Sequence, residues 1–356
     1  MNRTFCVIGV SGYSGSGKTT LISKILSELK REGLTVGVLK HTGHRLDLDR
    51  EGKDTELFYR AGADFIFAHD RQQGFARYPF GAARLSEALA LFPRALDLVL
   101  VEGHKDSGIP GIWLSAGGSG EAGASPRRDG VSRQTIIRDD PKCLETAMEF
   151  IRAAICRFIS ERPVMAGLLV GGKSRRMGTD KVLLRVGTET FVERSVRVLG
   201  TVTQRTVLLG SAEMPESLGK ADRLPDAAGV AGPMAGILSA FRWAPGSTWI
   251  MSAVDMPLMN REAWEWVLGH RRPGVWAVLP LLKKGAKAET MAACYEPMIS
   301  SHVEALAGRG IRTLQGLAEH PNVVTPLVPK SLAYAWKNVN TAEEWEEVLR
   351  SPKKLS

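Results

Sequence analysis

The sequence has few cysteines, and their spacing excludes the usual cysteine-based scaffolds. Cys6, Cys143, Cys156 and Cys294 are widely separated and form no CxxC pair. Disulfide frameworks and structural zinc sites both depend on closely spaced cysteines, so neither is expected here. Scattered thiols of this kind are instead typical of a protein that works in a reducing cytoplasm.

Long hydrophobic runs are also missing. No apolar stretch approaches the roughly 20 residues that a membrane helix needs. Residues 1–10 lead directly into a predicted strand, without the positive segment and long apolar core of a signal peptide. We therefore expect a soluble, cytoplasmic protein that has no membrane partner.

Acidic residues are in the minority. The chain has 38 Asp and Glu against 47 Lys and Arg, which gives a formal net charge of +9. This excess suits anionic ligands such as nucleotides, pyrophosphate or a phosphorylated cofactor. The sequence lacks a basic run with interleaved aromatic residues, so we do not expect nucleic acid as a partner.

Short apolar runs alternate with helical patterns along all 356 residues. Thr4–Ser11 and Val164–Val170 each lead into a glycine-rich turn, which is the opening of a βαβ unit with its ligand at the strand's carboxyl end. Further predicted strands are Leu34–Leu39, Leu96–Val101, Thr206–Leu209, Thr248–Val254 and Val275–Leu279, and predicted helices are Lys18–Arg31, Cys143–Ile159, Thr190–Leu199 and Arg261–Leu268. The alternation predicts two α/β domains, residues 1–160 and 163–356.

The first glycine-rich turn matches a phosphate-binding loop without substitution. Residues 12–19 read GYSGSGKT, which satisfies GxxxxGK[ST] between a predicted strand and a predicted helix. Glycines there let consecutive backbone N–H groups face a phosphate, Lys18 would reach the β- and γ-phosphates, and Thr19 would bind Mg²⁺. The nucleotide-binding residues predicted in this loop are Gly12, Gly15, Gly17, Lys18, Thr19 and Thr20.

A metal site beside this loop also needs a carboxylate. Glu102 directly follows the predicted strand Leu96–Val101, at the strand end where α/β proteins bind ligands. We predict Glu102 and Thr19 as metal ligands of the first nucleotide site. The alternative is that Glu102 is an ordinary surface carboxylate at the end of a strand.

Three motifs in this half resemble the MobB family, the P-loop accessory proteins of molybdopterin-guanine dinucleotide synthesis. They are GYSGSGKTT, VLKHTGHRLDLDREGKDTELFYRAGA and LDLVLVEGHKDSGIPGI, in this order within about residues 4–112. The resemblance implies a P-loop NTPase domain that binds GTP with Mg²⁺ and hydrolyses it weakly. Residues 113–140 depart from the family pattern.

The second glycine-rich turn, residues 171–181, has a different kind of motif. Its sequence GGKSRRMGTDK has neither the GK[ST] ending of the first loop nor the dinucleotide fingerprint GxGxxG. It combines glycine flexibility with the cations Lys173, Arg175, Arg176 and Lys181. A triphosphate that loses pyrophosphate needs positive charge of this density. We therefore predict Lys181, Arg175 and Arg176 as catalytic residues.

Two aspartates complete this second site. Asp255 directly follows a predicted strand that Pro257 ends, and a carboxylate at that edge suits Mg²⁺. Asp226 precedes the glycine-rich segment Gly229–Gly236. Asp near Gly and Pro is often only a turn residue, which is the alternative for both.

The C-terminal half resembles the MobA family of molybdenum cofactor guanylyltransferases from about Val164 to Leu349. The resemblance rests on LLVGGKSRRMGTDKVLL, PDAAGVAGPMAGI, MSAVDMPLM and KNVNTAEEW, in this order. It implies a Rossmann-like nucleotidyltransferase domain with a mostly parallel sheet. The resemblance further assigns Leu169, Gly171, Gly172 and Lys181 to the nucleotide site, Asp226 to GTP, Asp255 to Mg²⁺ and catalysis, and Asn338 and Asn340 to the molybdopterin side.

The chain also departs from the MobA pattern. Val170 stands where the family usually has Ala, and Gly210-Ser211 lacks an Asn often found after the second strand. Related cytidylyltransferases tend to carry an AAG loop and a DQP turn. This chain has GG and DMP instead, which favours guanine by analogy.

These resemblances predict transfer of GMP from GTP to the terminal phosphate of molybdopterin or Mo-molybdopterin, with Mg²⁺ as cofactor. Candidate protein partners are molybdoenzyme apoproteins and other cofactor-synthesis proteins, and a homo-oligomer is left open. One alternative is a cytidylyltransferase or sugar-1-phosphate nucleotidyltransferase. In a second alternative the N-terminal half is only a GTP-binding adaptor. In a third it is a P-loop kinase fused to a transferase.

Overall fold

Two separate β-sheets organise the chain, one in each half. The computed structural model describes residues 4–41, 54–63, 66–77, 84–104, 108–115, 131–171, 181–186, 188–339 and 344–345. Over these residues the predicted α/β fold class is confirmed. Within them, no helix has both the length and the apolar character needed to cross a bilayer.

The described residues of the first half form seven strands and four helices. In chain order they are β1 (Cys6–Gly12), α1 (Lys18–Arg31), β2 (Val36–Lys40), α2 (Asp54–Arg60), β3 (Ile66–His69), β4 (Gly74–Arg77), α3 (Leu85–Ala90), β5 (Leu98–Glu102), β6 (Gly111–Ser115), β7 (Arg133–Ile137) and α4 (Cys143–Ser160). Five strands form a parallel sheet in the order β2-β5-β1-β6-β7, and β3 and β4 form a separate antiparallel pair.

Helices cover both faces of this first sheet, which is why its central strands are continuous apolar runs. Every residue of β1 and β5 is buried. On one face α1 buries Leu21, Ile22, Ile25 and Leu29, at the spacing of a helical stripe, and α4 packs beside it. Leu89 of α3 packs on the opposite face.

In the second half, the part that the structure describes forms nine strands and four helices. They are β8 (Val164–Leu169), β9 (Arg185–Val186), β10 (Glu189–Thr190), α5 (Phe191–Leu199), β11 (Arg205–Leu209), β12 (Arg223–Leu224), α6 (Pro233–Trp243), β13 (Thr248–Ala253), α7 (Arg261–Leu268), β14 (Ala277–Val278), β15 (Ala292–Tyr295), α8 (Ser300–Gly308) and β16 (Val323–Val324). Seven strands form one sheet in the order β12-β11-β8-β13-β15-β14-β16, and β9 pairs with β10.

The second sheet is mostly parallel, with one reversed strand that the sequence analysis did not find. β15 runs antiparallel to both of its neighbours, β13 and β14. The predicted strand Val275–Leu279 is also shorter than expected, because only Ala277–Val278 pairs. Strands β6 and β7 were missed as well. All of these pairings join residues far apart in sequence, which a local apolar pattern does not reveal.

The two sheets meet at the amino ends of their parallel strands through a buried ionic cluster. Glu296, which follows β15 and is 3% exposed, accepts hydrogen bonds from Arg162 (Nη1–Oε2, 2.5 Å) and Arg271 (Nε–Oε1, 2.6 Å). Arg162 also donates to the backbone oxygen of Thr4, just before β1 (2.9 Å), and Arg271 to that of Ile159, in α4 (3.0 Å). The cluster therefore joins the two halves directly.

Two further contacts lie along the same junction. The Trp276 indole N–H donates to a carboxylate oxygen of Asp97, which precedes β5, at 3.3 Å. The Asn322 side chain donates to the backbone oxygen of Gly33, ahead of β2, at 3.2 Å. These contacts lie on the side of each sheet where its parallel strands begin, so the carboxyl edges of the two sheets point away from each other.

We predict that Glu296→Ala lowers the free energy of unfolding by about 3–5 kcal/mol, because it leaves the buried guanidinium of Arg162 and the largely buried guanidinium of Arg271 without their partner. Urea denaturation at neutral pH measures this loss. The matched control is Glu304→Ala, which removes an exposed pair with Arg242 and should cost less than about 1 kcal/mol. Equal losses in the two variants would contradict a special role for the cluster.

The stabilisation by Glu296 has a defined pH range. Burial opposes its charge, but Arg271 and Arg162 outweigh burial and hold the pKa of this carboxyl below its ordinary value. A lowered pKa gives stabilisation that is complete above the unfolded value of about 4.3 and is lost as the pH falls through the folded value. Denaturation of the native protein against the Glu296→Ala variant should therefore show a constant difference at neutral pH that shrinks only in acid.

Candidate functional site

The phosphate-binding loop joins β1 to α1 and is shaped by its glycines. A Cβ on Gly12 would lie 2.5 Å from the backbone oxygen of Leu114 and 2.8 Å from the Ser16 hydroxyl, so no larger residue fits. Gly17 has φ +90° and directly precedes α1. That left-handed conformation, which favours glycine, leaves the first N–H groups of α1 facing the loop.

Lys18 and Thr19, the first two residues of α1, contact different groups around this loop. The Lys18 ammonium donates to the backbone oxygens of Gly12 (3.2 Å) and Tyr13 (2.6 Å), so its charge lies over the loop. The Thr19 hydroxyl donates to the Glu102 carboxylate at 3.1 and 3.3 Å. Thr20 lies in the first turn of α1 and is exposed.

Thr19 and Glu102 fit a divalent cation. They supply a hydroxyl and a carboxylate side by side at the start of α1, and Mg²⁺ prefers hard oxygen ligands of this kind. Glu102 is 9% exposed, and the Lys40 ammonium lies 3.6 Å from it. A phosphate and a metal ion bound in this position would lie beside both a positive and a negative side chain.

The second site lies at the carboxyl edge of the second sheet. Val254, after β13, donates its N–H to the backbone oxygen of Leu169 at 3.2 Å. Gly171 follows β8 and packs against Gly210, which follows β11. Gly172, Arg175 and Arg176 lie outside the described residues. Lys181 begins a short 3₁₀ helix, Lys181–Leu183, and its side chain is also outside the described part.

Asp226 lies at this edge beside the start of α6. It follows β12, and its Oδ1 would be 3.7 Å from a Cβ on Gly236 in the first turn of α6. The same Cβ would lie 2.8 Å from Leu169, so α6, β8 and Asp226 meet closely at this point. The three predicted residues Leu169, Gly171 and Asp226 thus lie at one edge of the sheet.

Asp255 follows β13 at the centre of the same edge. Its backbone oxygen accepts a hydrogen bond from Val339 N–H at 2.8 Å, which brings the C-terminal NVNT motif to the site. Asn338, next to Val339, is exposed, and Asn340 lies outside the described residues. The carboxylate of Asp255 is an oxygen donor suited to a divalent cation.

One residue at this edge was missed by the sequence analysis. Glu289 precedes β15 and is half-buried. Burial raises the pKa of its carboxyl, and the negative charge of Asp255 raises it further. No local motif marks Glu289, and only the antiparallel pairing of β15 with β13 brings it to this edge.

Comparison with known proteins gives two family matches along the chain. Residues 7–130 match the family described as molybdopterin guanine dinucleotide synthesis protein B, and residues 166–323 match the MobA-like NTP transferase domain. The first match extends past residue 112, where the three sequence motifs end.

Individual relatives agree with these matches. The molybdopterin-guanine dinucleotide biosynthesis adapter protein of Haemophilus influenzae is 40% identical over 116 residues, which are 32% of this chain and 65% of that protein. The adapter protein of Escherichia coli is 33% identical over 154 residues, 40% of this chain and 83% of the relative. The probable molybdenum cofactor guanylyltransferase of Opitutus terrae is 36% identical over 153 residues, 42% of this chain and 74% of the relative.

Both resemblances seen in the sequence are therefore confirmed. The chain belongs to the MobB family in its N-terminal half and to the MobA-like NTP transferases in its C-terminal half, and it is a nucleotidyltransferase of molybdenum cofactor biosynthesis joined to a nucleotide-binding domain.

Proposed function

We propose that the C-terminal half, residues 163–356, transfers GMP from GTP to the terminal phosphate of molybdopterin or Mo-molybdopterin. The products are the guanine dinucleotide and pyrophosphate. The observation that carries the proposal is the meeting of Leu169, Asp226 and Asp255 at one carboxyl edge, next to the NVNT segment. The guanylyltransferase name of the Opitutus terrae relative supports guanine as the base.

The reaction is a direct displacement at phosphorus. A terminal phosphate oxygen of molybdopterin attacks the α-phosphorus of GTP, and the bond from this phosphorus to the oxygen bridging to the β-phosphate breaks. The nucleophile is already an anion at neutral pH, so the protein has to align the two substrates and neutralise their charge. We assign that neutralisation to Lys181, Arg175 and Arg176.

Mg²⁺ is the metal that we propose for both sites. When bound, it supplies positive charge against the phosphate oxygens. Asp255 would hold it in the transferase site, and Thr19 and Glu102 in the loop of the N-terminal half. The carboxylate and hydroxyl oxygens of these residues are the hard ligands that Mg²⁺ prefers.

For the N-terminal half, residues 1–160, we propose GTP binding in an adaptor role. Its loop lies at the carboxyl end of β1, whereas the transferase site lies at the carboxyl end of β8, and these ends face away from each other. Strands of seven and six residues, at about 3.3 Å per residue, put roughly 20 Å of sheet between each site and the junction. GTP held by the loop is therefore not within reach of Asp255 in the same chain.

The substitution Asp255→Asn should lower the rate of GMP transfer by roughly a hundredfold or more, because it removes charge that holds the metal against the phosphates. Pyrophosphate release with GTP and molybdopterin measures the effect, and thermal unfolding checks the fold. Asp222→Asn, which alters an exposed pair with Arg205 in the same half, is the control and should keep full activity. Full activity in the Asp255 variant would overturn the site.

The substitution Lys18→Ala should abolish nucleotide binding by the N-terminal loop and change kcat/KM of the transferase by less than about twofold, because distant sites act independently. A two-site titration with a fluorescent GTP analogue and a steady-state transfer assay measure the two effects. Lys24→Ala removes an equal charge from an exposed position on α1 and serves as control. A parallel fall in kcat/KM in the Lys18 variant would show that the loop delivers GTP to the transferase.

A further inference from the structure

Arg138 lies over the phosphate-binding loop, although none of the motifs that mark the loop in the sequence includes it. It directly follows β7, and its N–H donates to the backbone oxygen of Ser115, the last residue of β6, at 2.8 Å. A Cβ built on Gly17 would lie 3.1 Å from Arg138 Cδ and 3.6 Å from its Cγ. The stem of the arginine therefore packs on the glycine that precedes Lys18.

The order of the strands places Arg138 on the opposite flank of the loop from the proposed metal ligand Glu102. In the order β2-β5-β1-β6-β7, Glu102 ends β5 on one side of β1, and Arg138 follows β7 on the other side. In a P-loop site the metal ion bridges the β- and γ-phosphates. The flank away from Glu102 is therefore where the α-phosphate and the nucleoside would lie.

The guanidinium of Arg138 has the position and the charge to bind a phosphate on that flank. Its Nε is bonded directly to Cδ, the atom that would contact a side chain at Gly17, so the group lies near the first N–H groups of α1. N–H groups at the start of a helix bind phosphate in a site of this type. A guanidinium donates two parallel hydrogen bonds to phosphate oxygens, which suits arginine to the same ligand.

A neighbouring carboxylate holds this guanidinium, and the pair is easily exchanged. Arg138 donates from Nε to Asp139 Oδ1 at 2.9 Å and from Nη2 to Asp139 Oδ2 at 3.1 Å. The two side chains are 44% and 61% exposed, and ion pairs in water are weak. These two bonds do not use the Nη1 donors of the guanidinium. Arg138 can therefore bind a phosphate either beside Asp139 or in its place.

We propose that Arg138 is a nucleotide-binding residue of the N-terminal half and donates to the α-phosphate of the nucleotide in the phosphate-binding loop. The proposal rests on the proposed binding of GTP by this half. Lys18 and Arg138 then bind opposite ends of one triphosphate, and the metal ion lies nearer the Lys18 end. Arg138 lies beyond residue 130, where the match to the MobB family ends.

Equilibrium binding to the full-length protein tests the proposal with GTP, GDP and inorganic tripolyphosphate, each in the presence of Mg²⁺. The N-terminal site is defined as the binding that Lys18→Ala removes, and each probe displaces a fluorescent GTP analogue from it. Arg138→Ala should weaken all three probes at least about tenfold and by similar factors, because each can place a phosphate at the α position. Arg138→Lys, which keeps a single positive charge, should recover part of the affinity.

The control is Arg152→Ala, which removes an exposed pair with Glu32 at the far end of α1 and should leave all three affinities unchanged. Thermal unfolding of each variant reports whether the fold is kept. Unchanged affinities in Arg138→Ala overturn its role and leave GTP binding by the loop in place. A loss for GTP alone indicates a γ-phosphate contact, and a loss for GTP and GDP without tripolyphosphate indicates a nucleoside contact, and both overturn the proposal. Unchanged binding in Lys18→Ala overturns GTP binding by this loop and the role of Arg138 with it.

Discussion

The buried carboxylate of Glu296 fixes how the two halves of the molecule face each other. It holds Arg162 and Arg271 at once, and through them the backbone before β1 and the backbone of α4. A buried charge of this kind is tolerated only when its partners are in place, so the junction accepts few alternative geometries. Because the junction uses the amino ends of both sheets, each carboxyl edge is left open to a ligand.

The two carboxyl edges carry different sets of polar groups, which we propose bind anionic ligands. The N-terminal edge uses backbone N–H groups, Lys18 and the Thr19–Glu102 pair around one loop. The C-terminal edge carries Asp226 and Asp255, with a cationic segment in the sequence that follows β8. The first suits retention of a nucleotide, and the second suits a reaction between two phosphorylated substrates. In the function that we propose, one chain holds an adaptor and a transferase whose two sites do not share one GTP.

The sequence predicts well those features that depend on local chemistry. The helix Lys18–Arg31 has the predicted bounds, because the glycine loop before it and the spacing of Leu21, Ile25 and Leu29 are both local signals. Asp255 lies after its strand as predicted because an apolar run ends there. By contrast, the reversed strand β15, and with it Glu289, depends on pairing between residues about 40 positions apart. The junction is a similar case, because no local pattern in the sequence around Glu296 predicts its contact with Arg162.

The most direct test of the central claim is to identify the product that the full-length protein makes from molybdopterin, Mg²⁺ and one nucleotide at a time. GTP, CTP and ATP would be compared by chromatography of the dinucleotide, with pyrophosphate followed in parallel. We expect molybdopterin-guanine dinucleotide with GTP and one pyrophosphate for each product, with little or no product from CTP or ATP. A cytosine dinucleotide as main product, or no product with any nucleotide despite GTP binding, would contradict it.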